Sequence, residues 1–81
     1  MKLRLTERLV RSYKAAPWQV QKAFDKQSLL LAGDLRHPSL HSKKYDEAGG
    51  IWQARVNRDW RFYFRIEGDE YVVLGLTAHP K

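Results

Sequence analysis

From Ile51 to Ile66 the chain reads IWQARVNRDWRFYFRI, and apolar Trp52, Ala54 and Val56 alternate with polar Gln53 and Arg55. After Asn57-Arg58-Asp59 the alternation resumes, with Trp60, Phe62, Phe64 and Ile66 separated by Arg61, Tyr63 and Arg65. A period of two over this length predicts two strands of a sheet with one apolar and one polar face. A three-residue loop at 57–59 sets Val56 opposite Trp60, Ala54 opposite Phe62 and Trp52 opposite Phe64, so that all the apolar residues share a face. The same register sets Arg55 opposite Arg61. Like charges so placed, with Cβ atoms about 5 Å apart, destabilise a sheet. Either the two long side chains splay into solvent, or an anion such as a phosphate lies between them.

The flanking segments supply what this hairpin needs to cover its apolar face. Lys2-Leu3-Arg4-Leu5 alternates as a short first strand, and Thr6 follows as a helix N-cap with Glu7 in the first turn. Leu9, Val10 and Tyr13 form one face of a short helix and Arg8, Arg11 and Lys14 the other. Pro17 ends that helix and starts a second, running to about Ala32, with Val20, Ala23, Phe24, Leu30 and Leu31 on its apolar side and Gln27 as the weak position. Gly33 terminates it. Residues 34–42 form an irregular linker, Lys43-Lys44-Tyr45 a short edge strand, and Gly49-Gly50 close a polar loop. A last strand spans Glu70 to about Ala78. With an odd loop at 67–69 it places Val72, Leu74, Leu76 and Ala78 on the apolar face, pairing Phe64 with Val72, Phe62 with Leu74 and Trp60 with Leu76. Gly75 then faces Arg61 and leaves open space beside it, or else marks a bulge. His79 ends the strand near the 57–59 turn. The predicted fold is α+β: a short N-terminal strand and a two-helix hairpin packed on a twisted, mainly antiparallel sheet of about four strands.

At 81 residues the chain forms one domain, near the lower size limit for a self-sufficient core, helped by ten aromatic residues. It has no cysteine, hence no disulfide framework and no thiol nucleophile. No signal peptide or spanning apolar run is evident, so a soluble cytoplasmic protein without a membrane partner is expected. The net charge of +6 points to an anionic partner, either nucleic acid or an acidic protein. It is concentrated in residues 1–30, which hold seven basic and two acidic side chains. Arg8, Arg11 and Lys14 read as a solvated helix face or as a sequence-independent contact to RNA.

The polar face of the sheet gathers Arg55, Arg61, Tyr63 and Arg65, with Arg58 and His79 near one end and Lys43 or Lys44 at another edge. His37, His41 and His79 are scattered in sequence without a carboxylate pair at ligand spacing, so no metal or cofactor is expected. Neither a glycine-rich phosphate loop nor a serine triad is present.

The segments LTERLVRSYKAAP, DLRHPSLHSKKY, GGIWQARVNRDWRFYFRIEGD and VVLGLTAHPK, in this order and spacing, resemble the RelE/ParE superfamily of bacterial toxin–antitoxin toxins over essentially the whole chain. The resemblance implies a small basic toxin neutralised by an acidic antitoxin, with an antitoxin-mediated oligomer as one form. RelE-like members cleave messenger RNA in the ribosomal A site; ParE-like members inhibit DNA gyrase, and some relatives are inactive and only bind an antitoxin. By this resemblance Arg61 matches the arginine that contacts the scissile phosphate, Lys44 a basic residue before the loop, and His79 a histidine after the last strand. The family pattern commonly continues with a second histidine and a short tail, where this sequence has Pro80 and Lys81, so part of the usual site edge is expected to be missing.

The chemistry implied is attack of a 2′-hydroxyl on the adjacent phosphorus. Arg61 and Arg55 would hold the phosphate, Lys44 would activate the hydroxyl or stabilise charge, and His79 would exchange protons or simply cap its strand. Arg58, Lys43, Arg65 and Tyr63 complete the expected RNA-binding surface, Tyr63 by stacking on a base or by cross-strand packing.

Overall fold

The computed structural model describes residues 1–79; Pro80 and Lys81, and with them the tail, lie outside the described residues. The chain runs β1 (Lys2–Leu5), α1 (Glu7–Ala15), α2 (Trp18–Gly33), a 3-10 turn (Pro38–Leu40), β2 (Lys43–Asp46), β3 (Ile51–Arg55), β4 (Trp60–Glu67) and β5 (Glu70–Ala78). The strands form one sheet in the order β1-β5-β4-β3-β2, with β1 parallel to β5 and the other pairs antiparallel. It has five strands rather than about four, because β1 and β2 both bond into it.

One face of the sheet carries the core. Phe62 and Phe64 are fully buried, and Phe62 meets Phe24 of α2 edge-on at 5.3 Å while Phe64 meets Tyr71 at 5.6 Å. Leu9, Val20 and Leu31 close the cluster from the helices. Burial of each such side chain stabilises by about 1.5–3 kcal/mol. Trp52 and Trp60 sit half-buried at its margin, and Trp18 is 66% exposed.

α1 does more than cover the sheet. The Thr6 side chain accepts the Leu9 N–H at 3.1 Å, capping the helix, and its hydroxyl donates to the Val73 carbonyl at 2.8 Å. The Ser12 hydroxyl oxygen accepts the Leu76 N–H at 3.1 Å. β1 ends at Leu5, so beyond it α1 supplies partners that β5 would otherwise lack along its edge. That duty places Ser12 against β5, whereas Val10, expected on the apolar face, is exposed.

Gln27, the weak position of the α2 stripe, is buried. Its Nε2 donates to the Ser39 carbonyl at 3.1 Å and to the Arg55 carbonyl at 2.9 Å. It therefore ties the 34–42 linker to the end of β3.

The β3–β4 hairpin has the expected register, with Trp52 opposite Phe64, Ala54 opposite Phe62 and Arg55 opposite Arg61. The β4–β5 register does not. The turn has two central residues, Gly68 with φ +59° and Asp69, so Glu67 pairs with Glu70 and Phe64 with Val73. This one-residue slip brings Tyr71 and Val73 into the core and turns Val72 to the other face. A bulge at Leu74 follows, after which Tyr63 pairs with Gly75, Phe62 with Leu76, Arg61 with Thr77 and Trp60 with Ala78. Leu76 thus returns to the core, and Gly75 lies beside the bulge and opposite Tyr63 rather than Arg61.

Gln27→Leu is expected to lower stability by about 2 kcal/mol, because it strips two carbonyls of their donor at a buried site. A urea midpoint equal to that of the natural chain would show that the linker tie contributes nothing.

Candidate anion-binding site

The three-residue turn places Arg55 at the end of β3 directly opposite Arg61 at the start of β4, on the face away from the helices. Beside them Gln53 pairs with Lys43 of β2, and on the other side His79 follows the end of β5. The His79 N–H donates to the Asp59 carbonyl at 2.6 Å, which fixes the end of β5 against the turn. A hollow of about 380 Å³ opens here, bounded by the two arginines, Lys43, Gln53 and His79, and on the linker side by His41 and Ser42. Among the described residues no carboxylate lines it, although the Asp59 carboxylate at the turn acts on the charge of Arg61. The ion pairs among the described residues join Arg4 to Glu67 and Glu70, and Arg11 to Glu7, all remote from the hollow.

The two arginines are held differently. Arg61 is buried, and its Nη1 donates to the carbonyls of Asn57 at 2.8 Å, Arg58 at 3.2 Å and Trp60 at 2.9 Å. The guanidinium thus clasps the turn that creates it as a cross-strand neighbour of Arg55. Among the described residues its Nη2 and Nε take no part in these bonds. Burial first, and then the charge of Arg55, push its pKa below the usual arginine value, although an arginine stays cationic throughout the working range. Among the described residues the buried Arg55 Nε has no hydrogen-bond partner, and the Ser42 hydroxyl is in the same condition. Two orphaned donors beside one cationic hollow leave unfilled exactly the kind of bond that an oxyanion accepts.

The remaining predicted residues divide. Lys43 lines the hollow, but Lys44 does not: it pairs with Trp52, and its Nζ lies 5.8 Å from the Trp52 ring centre, on the helix-side face. The alternation of β2 allows only one of the two lysines on each face. Arg58 is exposed at the turn and contributes its carbonyl to Arg61. Arg65 is exposed further along the same face, opposite Ile51 and Val72. Tyr63 lies between, its ring edge-on to Tyr45 at 4.9 Å, and borders a second hollow of about 480 Å³ with Arg8, Ser12 and Leu74. Burial, then Tyr45, raise its pKa, with Arg61 acting in the opposite sense. Cross-strand and edge packing therefore account for Tyr63 in the free protein. His41, Ser42 and Gln53 were not singled out for the site from the sequence. His41 carries the one visible signal, a polar residue closing the linker just before β2, where the backbone turns left-handed (φ 47°). Among the described residues no three histidine, cysteine or acidic side chains come together as a metal site.

Arg61→Ala is expected to cost about 1–3 kcal/mol, since the Asn57 and Arg58 carbonyls lose the Arg61 donor and Trp60 keeps only its backbone donors from Val56 and Asn57. Arg55→Gln removes a like-charge neighbour and should leave stability unchanged or slightly higher. Thermal unfolding with and without sulfate checks both: sulfate should stabilise the natural chain more than either variant, and equal stabilisation of all three would exclude an anion site here.

No protein-family model matches the sequence, and no curated protein matches it. Solved structures do. A chain of a RelBE toxin–antitoxin complex from Mycobacterium tuberculosis superposes with a TM-score of 0.78 at 20% identity, covering 96% of each chain. The YoeB/ParE toxin from Agrobacterium tumefaciens gives 0.77 at 16% identity, covering 99% of this chain and 100% of the other. The intact E. coli RelBE toxin–antitoxin complex gives 0.73 at 10% identity, over 99% and 98%. At such identities the likeness speaks for architecture, and in architecture this chain is a RelE/ParE-type toxin fold.

Proposed function

We propose that this chain is the toxin of a toxin–antitoxin pair and acts as a ribosome-dependent endoribonuclease on messenger RNA. The observation that carries this reading is the face-to-face Arg55–Arg61 pair in a hollow that His79 borders and that no carboxylate lines among the described residues. In the reaction a base takes the proton of a 2′-hydroxyl, and the oxygen bonds to the adjacent phosphorus. The bond from phosphorus to the 5′-oxygen breaks, and that oxygen takes up a proton. The products are a 2′,3′-cyclic phosphate and a 5′-hydroxyl. Negative charge grows on the phosphoryl oxygens at the transition state, where fixed guanidinium donors act most strongly. Arg55 supplies its unpartnered Nε, Arg61 the donors not spent on the turn, and His79 a proton-exchanging group. Lys44 belongs to this reading only as a surface cation, since it lies on the other face of β2.

An acidic antitoxin fits the same charge distribution, and the complexes of the structural neighbours pair their toxins with antitoxins. The exposed Arg8, Arg11 and Lys14 of α1 add a second basic surface for that partner or for ribosomal RNA. No helix among the described residues is long and apolar enough to cross a membrane. One observation favours a second reading, a gyrase inhibitor or a protein that only binds its antitoxin: the Arg61 bonds to the turn give that residue a structural duty without any reaction.

Translation of a defined messenger by purified ribosomes, with RNA ends mapped, separates the two. Nuclease action predicts new 5′-hydroxyl ends within A-site codons, reduced about a hundredfold in Arg55→Ala, a variant that leaves the turn intact. Unbroken messenger and normal translation would leave the binding reading.

A further inference from the structure

The hollow has two histidines on its rim, and they come from opposite sides of the molecule in sequence. His79 follows β5, and His41 closes the linker before β2. His41 is exposed, and its left-handed backbone is held by its N–H bond to the Pro38 carbonyl at 3.3 Å. Between them lie Arg55 and Arg61, with the orphaned Arg55 Nε and Ser42 hydroxyl. We infer that His41 is a second proton-bearing ligand of this hollow, and that His41 and His79 together make its grip on a phosphodiester tighten as pH falls. The inference rests on the anion-site reading of the same hollow, but not on catalysis.

The surroundings support it. On the sheet side His41 shares the hollow with Lys43, Arg55, Arg61 and His79. On the linker side it shares a smaller hollow with Arg36 and His37. Arg36, Lys43, Arg55 and Arg61 are cations; among the described residues neither hollow has a carboxylate in its lining, and Asp59 acts on Arg61 from the turn, where its carbonyl accepts the His79 N–H. Protonated His41 thus meets no counter-charge among the described lining residues, and a bound anion supplies one. By linkage, an anion that favours the charged imidazole binds more tightly where that imidazole is protonated. His37 is the internal control. Its Nδ1 accepts the Ser39 N–H at 3.2 Å and meets the Ser39 hydroxyl at 2.9 Å, so one ring nitrogen is already engaged within the linker. It lines the smaller hollow and is absent from the lining of the one that holds the arginine pair.

The test is binding of a short 2′-O-methyl RNA, which cannot be cleaved and whose phosphodiester charge is constant, at about pH 5.5 and about pH 8. The natural chain should bind at least tenfold more tightly at the lower pH. His41→Asn and His79→Asn should each remove about threefold of that gain, the scale of one exposed charge contact. Asparagine suits position 41 because it tolerates a left-handed backbone, so the linker is preserved. His37→Asn should retain the full gain. Full pH dependence in His41→Asn would overturn the inference, as would an equal loss in His37→Asn, which would mark a diffuse effect of net charge. Cleavage by ribosome-bound protein is read separately. Uncut messenger with His41-dependent binding would remove the nuclease reading alone, and cut messenger with His41-independent binding would remove this inference alone.

Discussion

Arg61 closes the Asn57–Asp59 turn with three bonds from a single nitrogen, and the site's geometry depends on that clasp. The turn length fixes the β3–β4 register, and the register is what brings a second arginine opposite the first. A shorter or longer turn by one residue would put Trp52 on the face opposite Phe62 and Phe64, so the core and the arginine pair stand or fall together. The repulsion between the two guanidinium groups is thus a cost that the core imposes, of the order of a few tenths to 1 kcal/mol. It is offset by aromatic burial on the other side of the same strands.

The site is assembled from three separate stretches held by backbone bonds rather than by salt bridges. Gln27 pins the linker and the end of β3 together from α2, the His79 amide pins the end of β5 to the turn, and β2 pairs with β3 to bring in Lys43. Such an arrangement keeps cationic side chains concentrated without spending carboxylates to hold them. The charge that would ordinarily be neutralised within the protein is left for a partner.

The hairpin at the centre was legible in the sequence because its alternation is strict and its loop is odd, and together these admit one register. Helix limits followed from Thr6, Pro17 and Gly33, each within a residue. The β5 strand was not legible in the same way. Its segment YVVLGL is apolar at nearly every position, so periodicity does not say which residues face inward, and a bulge adds a residue that no alternation predicts. Lys43 and Lys44 were ambiguous for a related reason: adjacent identical residues on a strand must diverge, and only the pairing with Gln53 and Trp52 decides which goes where. Gln27 showed only as a weak position in its stripe, because the carbonyls it bonds lie 12 and 28 residues away, and His41 showed only as a polar residue near the end of the linker.

The bulge at Leu74 divides β5 into two halves that answer to different neighbours. The half near Gly68 takes its register from the turn, and the half that ends at Ala78 takes its register from Phe62 against Leu76. A bulge of this kind works as an expansion joint. A change in length or geometry at the distal turn can be absorbed at Leu74 before it reaches the arginine end, so the two ends of the sheet can vary on separate schedules while the hollow keeps its shape.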